Sequence, residues 1–408
     1  MNILFLTQVL PYPLDAGPKV RAYLVLRHLA ESGHHVSLVS FIRDDDLPKY
    51  VEHLRSYCAE IRTVRMRRSR ILDGTALVRA LITGQPFLVA RDWNPSMAHV
   101  IRNLARVQPS PDAVHADQLW MAPYALLARE CARAGRRPLT VLDQHNAVFK
   151  IPKRLADSET SSWKRALLAR EALKLARYER NICGKFDRVV WVTDLDRAAL
   201  LGQGTDPTAL PVSQVVIPIA LDLSVNKPVC RRSDAHRVTF IGGLHWPPNA
   251  RGVLWFQKEV WPQIRSQVPG AVLTIIGRNP LRQRWNGADS SVETTGYLAD
   301  LTPYLAETAV FVVPLLAGGG MRVKILEAWS WGLPVVSTSI GAEGLDARHR
   351  ENLCLADDPG SFAASVVEVM KNPELASQLT VGGRQTLESQ YGWRGLYRAW
   401  DQVYQRAI

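Results

Sequence analysis

The chain has 408 residues, 47% of them hydrophobic and 22% charged, which is too long for one ordinary core and too apolar for wholesale disorder, so two domains are expected. No apolar run reaches the roughly 18 to 20 uncharged residues of a membrane-spanning helix, and MNILFLTQVLPYPLDAG has no basic segment before its apolar stretch, so no secretory signal is read and a cytoplasmic location is expected. Five scattered cysteines without a CxxC pair predict reduced thiols and no metal, while the net charge of +12 implies an anionic partner: nucleotide phosphates, anionic lipid or nucleic acid.

NILFLTQ reads as a buried strand. The loop PYPLDAGP leads into a helix with Ala22, Val25, Leu26, Leu29 and Ala30 on one face, Gly33 ends it, and HVSLVSF is the next strand. Strand, helix and strand in close succession form a βαβ unit, which requires a parallel sheet covered by helices. Basic residues concentrate in this half, at Arg62–Arg70, Arg129–Arg137 and Lys153–Arg188. Further strands are expected at DAVHAD, PLTVLDQ, DRVVWVT and QVVIPI, completing a doubly wound domain over residues 1–219. After Pro218–Pro228 the rhythm restarts with RVTFIGG, AVLTIIG, SVETTGY, AVFVVPL, LPVVSTS and NLCLAD, a second such domain over residues 220–385. Residues 386–408 carry Trp393, Leu396, Tyr397 and Trp400 at helical spacing, which predicts a terminal helix packing on a domain surface, the N-terminal domain being a candidate.

In open parallel sheets ligands bind outside the carboxyl ends of the strands. FVVPLLA runs into Gly318, Gly319 and Gly320, then Met321, Arg322, Val323 and Lys324, with a helix expected through Trp329 and terminated by Gly332 and Pro334. Glycines before a helix start let backbone N–H groups approach a ligand, and the helix end adds partial positive charge. A diphosphate fits there, with Arg322 and Lys324 as added cations. Glu327, about two turns into that helix, either accepts bonds from ribose hydroxyls or pairs with Lys324. Gly242 and Gly243 precede HWPPN, whose prolines also suit a plain turn starting a helix. Arg278 after IIG either lines a base pocket or is solvated. In the first domain the matching positions are Asp15 and Gly17, His115 and Asp117, and His145 and Asn146. Histidine suits proton transfer or hydrogen bonding to a reacting oxygen; a structural role is the alternative, stronger for His115 inside its strand than for His145 at a strand end.

On these residues the sequence resembles the family 4 glycosyltransferases of the GT-B fold, an α/β architecture in which two Rossmann-like doubly wound domains face each other across a cleft. FVVPLLAGGGMRVKILEAWSWGLPVVSTSIGAEGL carries most of the likeness, supported by FIGGLHWPPN, TGYLADLTPYLAETAVFVVPL, the first-loop DAG and FDRVVWVTDLD. The resemblance implies a nucleotide-sugar donor held by the second domain, an acceptor held by the first, and transfer with retention. It implies catalytic roles for His145 and Glu327, donor contacts from Gly17, Gly243, Arg278, Gly318, Gly319, Gly320, Met321, Arg322, Lys324 and Glu327, and acceptor contacts from His115, Asp117 and Asn146. The sequence departs from the family at three places. Gly319 stands where the earlier glutamate of a pair spaced eight apart would fall, HWPPN replaces a basic pair, and Ile219 and Ala220 replace the usual asparagine and glycine. The diphosphate role therefore shifts toward Arg322 and Lys324, with no metal or other cofactor expected.

Two other readings compete. A nucleotide-sugar epimerase can use the same architecture. A membrane-surface or nucleic-acid binding protein is suggested by the basic first half and by the helix-like stretch Trp163–Tyr178 with Lys164, Arg165, Arg170, Lys174 and Arg177, which also reads as a solvated face. The basic residues lack the interleaved aromatics of a nucleic-acid binder, so no nucleic-acid partner is expected. Peripheral contact with the anionic inner face of a membrane is the preferred form, bringing the enzyme to a lipid-linked acceptor.

Overall fold

The computed structural model describes residues 1–107, 109–132, 137–202, 212–225, 227–232, 234–278 and 289–405, so part of the basic run Arg129–Arg137 lies outside the described residues. The chain forms two compact units, Met1–Ala220 with Trp393–Ile408, and Leu221–Gly392.

The first unit is built on seven strands: β1 Asn2–Thr7, β2 His35–Ile42, β3 Glu60–Arg65, β4 Ala113–Asp117, β5 Leu139–Gln144, β6 Arg188–Trp191 and β7 Ser213–Val216. They lie in the order β3-β2-β1-β4-β5-β6-β7, with every pair parallel. Phe5 at the centre of β1 sits opposite Leu38 on one side and His115 on the other. Successive residues of β1 and β4 are buried, as they must be when helices cover both faces. The strand β3 is absent from the sequence reading. Only Val64 in it is buried, and the pattern EIRTVR reads as charge because an edge strand needs just one well-covered side chain.

The second unit carries β8 Arg237–Ile241, β9 Val272–Ile276, β10 Val292–Gly296, β11 Thr308–Val313, β12 Val335–Ser337 and β13 Cys354–Leu355, ordered β10-β9-β8-β11-β12-β13 and all parallel. Counted from its own first strand, this repeats the order of the first six strands of the first unit. In each sheet the order reverses beside the first strand, at β1/β4 and at β8/β11, and the loops at those carboxyl ends are the ones positioned to hold ligands.

The terminal segment is two short helices, Trp393–Leu396 and Ala399–Tyr404, rather than one. Trp393, Tyr397, Trp400 and Tyr404 are all buried within the first unit, each contributing about 1.5–3 kcal/mol of gross burial. His28 reaches Asp401 at 2.8 Å, and the Arg27 guanidinium lies 4.7 Å from the Trp393 ring centre. Among the described residues no helix is long and apolar enough to cross a membrane.

Candidate functional site

In the second unit, three loops converge at the carboxyl ends of β8, β9 and β11. The helix Val323–Ser330 follows the glycine loop after β11, and no side chain caps its first turn. Its N–H groups therefore face the loop without the Ser, Thr, Asp or Asn that stands before several other helices here. Gly318 and Gly320 have φ of 143° and 71°, conformations that a side chain resists. The buried Arg322 guanidinium folds back on this loop, donating to the carbonyls of Gly319 and Gly320, the latter at 2.8 Å. Its place is thus as a brace of the glycine loop.

Lys324 occupies the junction of the β8 and β11 loops. Its Nζ donates to Asn249 Oδ1 at 3.1 Å and lies 4.2 Å from the Phe240 ring centre, and Asn249 Nδ2 in turn donates to the Gly243 carbonyl at 3.0 Å. A Cβ on Gly242 would come within 2.8 Å of both Lys324 Nζ and Asn249 Nδ2, and one on Gly277, at φ 149°, would strike the Gly242 carbonyl. These glycines permit the close approach. Burial and then the Arg322 charge push the Lys324 ammonium down to about 7, against the opposing pull of Glu327. Glu327 is the fifth residue of its helix, little more than one turn from the start rather than two, and is half-buried. The prolines of HWPPN do open a helix, Pro247–Trp255, whose third residue is Asn249. Arg278 is exposed with its guanidinium 5.2 Å from the Tyr297 ring centre.

The first unit places ionised side chains where the second places glycines. Arg21 and Asp143 are fully buried and paired at 2.7 Å, and Arg21 also donates to the Ile217 and Pro218 carbonyls at 2.8 and 3.1 Å. His145 Nε2 lies 2.9 Å from Asp117 Oδ1 and 3.5 Å from Asp143 Oδ2. Burial opposes a charge on His145, but Asp117 and then Asp143 outweigh it and hold the imidazole up at about 9, so it is protonated at neutral pH. Burial likewise opposes the Asp143 charge, and Arg21 with His145 overrides it, keeping the carboxyl well below its usual range. Both ring nitrogens of His145 are sealed from solvent and neither makes a hydrogen bond of good geometry among the described residues, so the Nε2 contacts act as charge pairs.

Each of these residues is set by its strand or helix. Asp117 ends β4, Asp143 is the penultimate residue of β5, and His145 follows it. The chain after His145 is fixed by Glu179, which accepts from Val148 N at 2.7 Å and Phe149 N at 3.0 Å. Gly17 begins the helix Gly17–Glu31 that presents Arg21, and Asp15 in the loop before it pairs with Lys19 at 2.9 Å. Asn146 is half-buried in the turn beyond His145.

His115 is wholly buried inside β4, stacked 4.2 Å from the Phe5 ring, with Nδ1 2.6 Å from the Tyr404 hydroxyl. Burial pushes it down to about 4, so it is neutral. His115, Asp117 and Asp143 each bring a potential metal-ligand atom within 4.8 Å of the others. Arg21 already occupies Asp143, so a cation there would face a resident guanidinium.

The structure thus brings together Gly243, Gly318, Gly319, Gly320, Met321, Arg322 and Lys324 in one unit, and Asp117, His145 and Asn146 in the other. The sequence reading missed Arg21, Asp143 and Glu179, while Asn249 lay within HWPPN, where a site stood beside a plain turn. The signal for Asp143 was present, since an acid inside the apolar run TVLDQ must find a buried cation. Glu179 was hidden in the basic run Lys153–Arg188, one residue beyond the stretch Trp163–Tyr178 that also read as a solvated face, although it is 0% exposed.

Residues 16–218 match the family described as "Glycosyl transferase 4-like domain", and residues 235–372 the one described as "Glycosyl transferases group 1". The chain is 24% identical over 377 residues to a Klebsiella pneumoniae protein described as "Uncharacterized 44.6 kDa protein in cps region", covering 89% of each. It is 27% identical over 146 residues to the lipopolysaccharide core biosynthesis glycosyltransferase LpsE of Rhizobium meliloti, 34% of this chain and 43% of that one. Among solved structures, sucrose-phosphate synthase from Thermosynechococcus elongatus superposes with a TM-score of 0.69 at 18% identity over 99% of this chain and 98% of its own. Anabaena HepE in complex with UDP-glucose gives 0.66 at 13% identity over 99% of both. At these identities the structural likeness is one of fold.

Proposed function

The chain belongs to the family 4 glycosyltransferases of GT-B type, and from that premise we propose that it transfers a sugar from a nucleotide diphosphate, with retention and without a metal, to a lipid-linked or glycan acceptor in polysaccharide biosynthesis. The observation that carries the reading is the junction in the second unit, where the glycine loops after β8, β9 and β11 meet Lys324 at an uncapped helix start. A leaving diphosphate develops negative charge, and preorganised N–H groups, a helix end and a nearby ammonium stabilise it with no metal required. In this reading Lys324 supplies the charge, Arg322 holds the loop in shape, and Glu327 accepts from the donor ribose. Arg278 and Gly17 contribute outer donor contacts and Asn146 serves the acceptor, while Asp117, expected there too, is wholly buried and acts instead as the counterion of His145. His145, kept protonated by two carboxylates, supplies a fixed positive charge that orients the reacting sugar. His115 is a packing residue in this scheme.

HepE, a fold relative, is described in complex with UDP-glucose. A cps-region protein and a lipopolysaccharide core enzyme among the relatives point to a polysaccharide or lipid-linked acceptor, reached from the inner surface of an anionic membrane.

The test is thermal stabilisation of the purified chain by a panel of nucleoside diphosphates and nucleotide sugars. A ligand at a hundred times its Kd stabilises by about 2.7 kcal/mol. One base series is expected to raise Tm, with the rise weakened in Glu327→Ala and lost in Arg322→Ala/Lys324→Ala. No shift with any nucleotide at saturating concentration overturns the donor assignment. Retention is read separately, from the anomeric configuration of product and donor by NMR.

A further inference from the structure

The helix Arg70–Thr83 is built inside out. It buries only Ala76 and Ala80, while Ile71 and Ile82 are each 80% exposed and Leu77, Val78 and Leu81 also face solvent. At 100° per residue, Ile71, Val78 and Ile82 fall on one line, with Leu77 and Leu81 beside it, so five large apolar side chains form a continuous outward stripe. Soluble surfaces rarely carry such a stripe unless something covers it.

The charges beside it say what. The chain entering this helix is RMRRSR, and Arg67 and Arg70 are exposed with no carboxylate in ion-pair distance among the described residues. Arg68 is held by Asp92 at 2.7 Å, and the helix contains one acid, Asp73. Beyond the helix end, the Phe87 N–H donates at 2.8 Å to Glu171 of the helix Ser162–Cys183. That second helix exposes Trp163, Leu167 and Leu173 together with Lys164, Arg165 and Arg170. Apolar side chains pointing outward beside unpaired arginines match a surface that is apolar within and anionic at its face.

We propose that the helix Arg70–Thr83 lies along an anionic membrane surface, its stripe of Ile71, Leu77, Val78, Leu81 and Ile82 among the acyl chains and Arg67 and Arg70 among the headgroup phosphates. This deepens the membrane contact in the reading above by giving it a surface, and it does not depend on which nucleotide is bound. The stripe side chains and Arg67 and Arg70 are exposed and lie outside the buried face, so changes at these positions leave the fold and donor binding intact.

The experiment is vesicle flotation of the full chain, without nucleotide, on phosphatidylcholine vesicles with and without phosphatidylglycerol. Wild-type chain is expected to bind the anionic vesicles about tenfold more tightly, with binding weakened by salt. Leu81→Glu/Ile82→Glu should abolish flotation with an unchanged melting temperature and unchanged nucleotide stabilisation, and Arg67→Gln/Arg70→Gln should remove most of the salt dependence. Binding that survives the double glutamate change would overturn this surface while keeping the membrane contact, and no flotation of the wild type would overturn both. A wild-type dimer that the glutamate variant disperses, with no flotation, would assign the stripe to a second copy of the chain and likewise overturn the proposal. Each of these results leaves the nucleotide stabilisation test standing on its own.

Discussion

At the carboxyl ends of β4 and β5 the first unit packs Arg21, Asp117, Asp143 and His145 within hydrogen-bonding or ion-pairing distance of a neighbour. At the carboxyl ends of β8 and β11, the equivalents of β1 and β4, the second unit offers glycines, an uncapped helix and one lysine. The sheets share a strand order, so topology does not explain the contrast. A ligand that brings its own negative charge needs little more than N–H groups and a cation. A site that must hold a charged imidazole away from water has to build the counterions in, and then needs a further cation to hold the counterions.

The largest effect should come from breaking the first arrangement. Arg21→Met leaves Asp143 buried beside one remaining partner and is expected to cost about 3–5 kcal/mol in urea unfolding, with much of the loss recovered when Asp143→Leu is added. His145→Ala should lower kcat about a hundredfold while leaving nucleotide stabilisation of the second unit unchanged; an equal loss of both would mean the two regions are not separable. The same residue sets a pH dependence. With its folded pKa raised to about 9 above an ordinary 6.5, its contribution is fully present below about 6.5 and is lost as pH rises through about 9. Unfolding free energy should fall across that window by about 3 kcal/mol in the wild type and stay flatter in His145→Ala.

Gly318→Ala tests the other arrangement. At φ 143°, with its Cβ directed at the Arg322 guanidinium, it should cost about 1–2 kcal/mol and abolish nucleotide stabilisation. The smallest effect concerns Lys324. Because its ammonium lies near pH 7 without ligand, diphosphate binding should take up a proton, and affinity should weaken by at most about tenfold per pH unit above 7, a slope absent in Lys324→Met.

The contrast also explains what could be read in the sequence. Strands β1, β2 and β4 to β13 were legible because apolar runs bounded by glycine and proline have few alternatives, and the segment from FVVPLL to Pro334 was legible because glycines, cations and a helix stop fall in a fixed succession. The edge strand β3 was not, since Glu60, Arg62 and Arg65 obscure a run whose one well-buried residue is Val64. His145 could be picked from its position at a strand end, but its protonation could not. That depends on Asp117 and Asp143, which come from two different strands, and on Arg21, which is 122 residues away from Asp143. The inverted helix Arg70–Thr83 was overlooked because apolar spacing alone does not say which face is turned inward.

The return of residues from Trp393 onward to the first unit bears on how the protein is made. Tyr404 caps His115, and the Arg21 guanidinium lies 5.4 Å from the Trp400 ring centre. During synthesis the N-terminal sheet emerges long before these rings, so its buried charges wait, partly uncovered, while the whole of the second unit is translated. The second unit, Leu221–Gly392, is continuous in the chain and can close on itself as soon as it leaves the ribosome. A fragment ending at Ala220 would therefore be the aggregation-prone half, and it should become soluble when a peptide spanning Trp393 to Gln405 is supplied in trans.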